Sequence, residues 1–221
     1  MSEPTRRLTL LTAAALLAQS AAAARAVTGT PATTDRTTDS ATAVLSPADR
    51  RRRIVARANR ALTKPTPYRL TRNGTTYLSK PRGDHNHLGG KNLNAYNDFN
   101  GRPWSGHFAA AMWNKRGLPA GHQSARRWRT GVGGRFHPYD PRTRPQPGDV
   151  LVWSDTDDER SGHVAVVVAV RGGTVTTVEG DTGPGGDSVT RRFHQWTDRT
   201  NSRFPGPHLA AKDFRGFTTP G

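Results

Sequence analysis

Ser105, His163 and Glu179, with Asp181 two residues further on, are the side chains whose types and order suit acyl-transfer chemistry. Ser105 follows Pro103-Trp104 and opens a stretch carrying Phe108, Ala109, Ala110, Met112 and Trp113, which predicts a helix with Ser105 in its first turn. A nucleophile at a helix head lies beside unsatisfied backbone N–H groups and the positive end of the dipole, and both stabilise negative charge that forms there. His163 opens an almost wholly apolar run, and Glu179 closes the next one. A base and an acid that orients its ring would therefore sit on neighbouring strands, with Glu179 and Asp181 both available as orienter. Taken singly, each piece has a plainer use: the serine as a helix cap, the histidine as a structural group, Pro147-Gly148-Asp149 as turn chemistry. The order nucleophile, base, orienter is what gives them meaning together.

The elements that must hold these residues are legible in outline. Ser46 can cap a first helix, with Pro47 at its first position and Asp49 in its first turn. Ile54, Ala58 and Leu62, flanked by Val55 and Ala61, give that helix one apolar stripe, and Lys64-Pro65-Thr66-Pro67 ends it. The run Arg50-Arg51-Arg52-Arg53 reads as a solvated helix start or a contact with an anionic surface. Residues 68–100 read as irregular. The second helix should run from Trp104 or Ser105 to a C-cap at Gly117, and residues 120–147 again read as loop. Strands are expected at 149–153, 163–170, 174–179 and 188–193, with Gly172-Gly173 turning the second into the third. Helices followed by an antiparallel meander predict an α+β fold, its N-terminal helices packed on one antiparallel β-sheet.

These motifs resemble a known family. Pro103-Trp104-Ser105-Gly106-His107-Phe108 is similar to the Pro-Trp-Cys-Gly-x-Phe head of the catalytic helix in the CHAP domain family, a papain-like group of cell-wall amidases and peptidases. Pro147-Gly148-Asp149-Val150 with Trp153 resembles that family's Pro-Gly-Asp strand, and Gly162-His163-Val164 its Gly-His-Val strand. Val178-Glu179-Gly180-Asp181 is similar to the strand ending in Glu-Gly-Asn, and Phe214-Arg215-Gly216-Phe217 to the closing Gly-Phe segment. The resemblance implies a papain-like α+β fold and amide bonds of peptidoglycan as the substrate class. It implies Ser105, His163, Glu179 and Asp181 as catalytic positions, with Trp104, His107 and Asn100 near bound substrate.

The departure falls on the nucleophile: serine occupies the cysteine position, and the chain holds no cysteine at all. A thiol, with a pKa of about 8.5, is readily ionised beside a histidine or a helix head, whereas a serine hydroxyl must lose its proton to a general base during reaction. Asp181 in place of asparagine adds a carboxylate that could hold His163 protonated. His107 lies within a turn of Ser105, where it could crowd the cleft, and the run Asp155-Thr156-Asp157-Asp158-Glu159 before His163 reads as a solvated turn or as a segment that binds a cation or shifts the histidine's titration.

Other features set the protein's surroundings. Arg6 and Arg7, the apolar run 8–18 and the small residues up to Ala26 read as a signal peptide over 1–26, with a hint of twin-arginine export. Residues 27–45 read as a flexible linker and 46–221 as the folded domain, secreted, extracellular or wall-associated, with no membrane span in the mature chain. The net charge of +16 favours anionic partners: peptidoglycan or an anionic wall polymer, with nucleic acid bound only non-specifically. His85-Asn86-His87 is too thin a pattern for a metal site, so no metal and no cofactor are expected, and the chain should be a monomer. Trp128, between Arg127 and Arg129, reads as half-buried or as a stacking platform. Three functions fit: a CHAP-like protein that binds or acts on wall peptides with doubtful turnover, an active Ser/His amidohydrolase, and an extracellular polyanion binder.

Overall fold

The computed structural model describes residues 45–70, 74–88, 93–97, 102–155, 161–196 and 212–221. The expected signal peptide and linker, Asn100, and residues 156–159 of the acidic run lie outside these. Helix α1 (Pro47–Thr63) begins as anticipated, with Ser46 Oγ accepting the Asp49 N–H at 3.1 Å. It buries Ile54, Ala58, Ala61 and Leu62. Lys64 leaves helical geometry directly before Pro65, whose ring disfavours helix in the residue ahead of it.

The central element is a seven-stranded antiparallel sheet in the order β3-β9-β8-β7-β6-β10-β5. Its strands are β3 (His85–His87), β5 (Phe136–Pro138), β6 (Val150–Asp155), β7 (Gly162–Arg171), β8 (Thr174–Thr182), β9 (Ser188–Gln195) and β10 (Lys212–Thr218). The four expected strands are present and somewhat longer. The closing Gly-Phe segment is itself a strand: β10 pairs with both β6 and β5. Residues 68–100 are less irregular than anticipated, since β1 (Pro67–Arg69), β2 (Thr76–Leu78) and β4 (Leu93–Asn94) form a small second sheet and β3 joins the large one. Such strands are too short to show periodicity. The stretch 120–147 likewise contains α3 (Ala125–Thr130) and β5.

Helix α2 (Ser105–Met112) starts where expected but stops short of Gly117. Asn114, at φ 56, takes the left-handed position after the helix. The Lys115 N–H reaches Ala110 O at 2.9 Å and the Asn114 N–H reaches Ala111 O at 3.0 Å. That pair of bonds is a Schellman cap, with asparagine doing what glycine usually does.

The sheet has two buried faces. Val150, Val152, Val164, Val166, Val178 and Val189 pack with α1, α2 and α3. Leu151, Trp153, Ala165, Val167, Val175, Trp196 and Phe217 form a second cluster on the opposite face. A central strand covered on both sides explains why β7 reads as continuous apolar sequence. The architecture is α+β, helices on an antiparallel sheet. Asp149, buried, ties α1 to it by accepting from Arg51 at 2.6 Å and from the Gln146 N–H at 2.7 Å.

Candidate functional site

The expected site residues gather around the last residues of β8. Glu179 Oε2 lies 3.1 Å from His163 Nε2, and both side chains are fully buried. Its other oxygen accepts the Thr177 hydroxyl at 2.5 Å and lies 3.1 Å from His194 Nε2, while Arg192 approaches the first at 3.6 Å. Burial alone would raise the Glu179 pKa. The hydrogen bonds and charge of His163 and His194 overcome that and hold it well below the usual carboxylate range. An ionised carboxylate only accepts, so each facing Nε2 carries a proton.

Asp181 has a different task. Its carboxylate accepts the Trp104 N–H at 3.1 Å, and the Ser105 N–H also pulls its pKa down. Asp181 thus caps α2 from a neighbouring strand, where Trp104 offers no side-chain cap of its own. The question of which acid faces the histidine is answered for Glu179. Burial raises the Asp181 pKa to about 7 despite the attraction of those two N–H groups. Its backbone is left-handed, φ 63, at the irregularity in β8 between Glu179 and Thr182. That irregularity turns the Asp181 side chain toward the helix while Glu179 stays under the sheet.

Gly180, between the two acids, is the contact point. A Cβ there would lie 2.6 Å from both the Trp104 ring and Phe108 Cβ, so only glycine lets the helix head press onto the strand. Gly106 is constrained in the same way, because a Cβ would meet His122 O at 2.2 Å, where the following loop crosses the helix.

Ser105 and His163 are therefore joined through residues 179–181 and not directly. Among the described residues no hydrogen bond links the Ser105 hydroxyl to His163. The reason lies in strand alternation: His163 shares its face with Ala165 and Val167, its ring 6.1 Å from that of Trp153, while α2 packs on the face of Val164 and Val166. Ser105 is itself 4% exposed.

The anticipated binding residues divide. Trp104 is a core residue, 2% exposed, its indole N–H donating to Gly186 O at 2.7 Å, so it offers no open surface to a ligand. His107 is partly exposed and packs edge-to-face on His122 at 5.6 Å. Trp128, fully buried, is no stacking platform; its indole N–H donates to His122 O at 2.7 Å. His85 and His87 flank the buried Asn86 on edge strand β3. His194, Arg192 and Thr177 were not anticipated. The alternation of Arg192 and His194 along β9, in register with Thr177 and Val175, is the signal that places them beside Glu179.

Among the described residues no helix is long and apolar enough to cross a membrane. Residues 97–181 match the family model of the CHAP domain, a stretch that holds Ser105, His163, Glu179 and Asp181. No curated protein and no solved structure matches the chain.

Proposed function

We propose that the protein, whose residues 97–181 match the CHAP domain of peptidoglycan hydrolase-like proteins, recognises cell-wall peptides at the head of α2 and does not hydrolyse them. The observation that carries this reading is the Asp181 carboxylate accepting the Trp104 N–H at the head of α2, with the Ser105 N–H also acting on it electrostatically. Backbone donors at a nucleophile's helix head are the groups that would stabilise an oxyanion, and each removed donor of that kind costs roughly 10²–10³ in rate. Here they are engaged by an acid that is itself negative above about pH 7.

Two further facts support the reading. Serine lacks the ready ionisation of the thiol, so it depends on a base within hydrogen-bond reach, and His163 makes no such bond to it. The histidine is fully buried on the far face of the sheet, beneath Trp153. Partly exposed His107 and His122 and exposed Gln123 remain at the helix head as polar groups for a peptide. We place the protein outside the cell, where such peptides occur.

Pelleting with purified peptidoglycan freed of phosphate polymers tests this. The full chain should sediment with it, and His107→Ala with Gln123→Ala should weaken the association several-fold. A chain that stays in the supernatant at every concentration would sink the proposal.

A further inference from the structure

Arg50, Arg53, Arg57, Arg60 and Lys64 recur along α1 and its C-cap at steps of three and four residues. That spacing sets five cations on one flank of the helix, beside the buried stripe of Ile54, Ala58, Ala61 and Leu62. At 1.5 Å per residue the row is about 21 Å long, with about 5 Å between successive charges.

The row is anchored and extended. Arg57 Nε donates to Met112 O at 2.5 Å, fixing its guanidinium against the end of α2. The chain leaving α2 brings Arg116 there as well. Burial first, then the charges of Arg53 and Arg116, lower the Arg57 pKa, as expected of like charges held close. Other arginines of the same helix are neutralised: Arg51 pairs with Asp149 and Arg52 with Asp49. Among the described residues no salt bridge reaches Arg50, Arg53, Arg57, Arg60, Lys64 or Arg116. Asp49, the one acid in the first turn, is engaged by Arg52.

Like charges at these spacings destabilise a helix slightly, so an external anion lying along the row is stabilising. We propose that this flank of α1, extended by Arg116, docks a linear phosphate polymer of the cell wall. Guanidinium groups suit phosphate because their planar N–H forks bind it bidentately. The overall charge of +16 draws a polyanion in, and the row gives it a place and a direction. The choice of a wall polymer over nucleic acid rests on the wall-binding reading above; the phosphate-binding row does not.

The test measures binding of the full chain to purified poly(glycerol phosphate) at several salt concentrations, beside a single-stranded oligonucleotide of equal charge. Arg57 packs against α2 and is left intact. Arg53→Gln/Arg60→Gln/Lys64→Gln should weaken polymer binding roughly tenfold or more and reduce the slope of log affinity against log salt by about 2. Arg53→Lys/Arg60→Lys, which keeps the charge and loses the forks, should keep the salt slope and lose less affinity than the glutamine variant; a loss as large as with glutamine and a reduced slope would count against charge as the basis of the row. Arg126→Gln/Arg127→Gln/Arg144→Gln, which removes equal charge elsewhere, should change it less than about twofold. Equal loss in that control, or no loss in the α1 variant, overturns the proposal, and tighter binding of the oligonucleotide overturns the choice of partner. Pelleting with phosphate-free peptidoglycan should be indifferent to the α1 substitutions. If that pelleting fails in the wild type while polymer binding holds, the peptide reading falls and the row stands.

Discussion

One carboxylate oxygen of Asp181 lies 3.1 Å from the backbone nitrogen of Trp104, joining the end of β8 to the head of α2. Two residues earlier on the same strand, Glu179 holds His163 on the opposite face of the sheet. These two acids, two residues apart, fix where the helix head and the histidine stand. The same contact engages a backbone donor at the head of α2.

Asp181 should leave a mark on stability against pH. Its folded pKa, about 7, lies above its ordinary value, so between about pH 4 and 7 the folded state holds the extra proton. Stability contributed by the protonated acid is complete below about pH 4 and is lost as pH rises to 7. Asp181→Asn should flatten that decline, which is on the order of 2–4 kcal/mol. Urea unfolding at pH 4.5, 6 and 7.5 measures it, and an unchanged decline in the variant would refute the assignment.

Glu179 has the opposite sign. Its pKa is depressed, so its stabilisation is present above the ordinary carboxylate range and is lost as pH falls below it. Glu179→Gln leaves two histidines and an arginine without their shared anion, and removing one partner from a buried ionic cluster costs about 3–5 kcal/mol. Denaturant midpoints at pH 7 test this; a cost under about 1 kcal/mol would show that the cluster is not held by the carboxylate.

Gly180→Ala should be destabilising out of proportion to one methyl group. The added carbon has nowhere to go between Trp104 and Phe108, and overpacking of this kind costs about 1–3 kcal/mol. Near-ultraviolet circular dichroism should also change, because the Trp104 ring must move. A variant as stable as wild type, with the same spectrum, would contradict the close approach.

Sequence reading reached the fold class, the start of α1, the four core strands and the order of the polar residues on them. Those features depend on periodicity, caps and turn residues, all local signals. It did not reach β10 as a sheet strand, because seven residues beginning Lys212-Asp213 show no clean alternation and gain their pairing from β6 and β5, distant in sequence. The end of α2 was misplaced because Gly117 competes with Asn114 for the same role, and only the hydrogen bonds decide. The separate tasks of Glu179 and Asp181 were also out of reach. Strand alternation puts residues 179 and 181 on one face, and only the left-handed backbone at Asp181 turns its carboxylate to the helix.

Release of new amino groups from purified peptidoglycan, compared between the wild-type chain and Ser105→Ala, tests the central claim most directly. The two should be indistinguishable, and neither should exceed peptidoglycan alone. Release by the wild type that Ser105→Ala abolishes would contradict it and make Ser105 a working nucleophile.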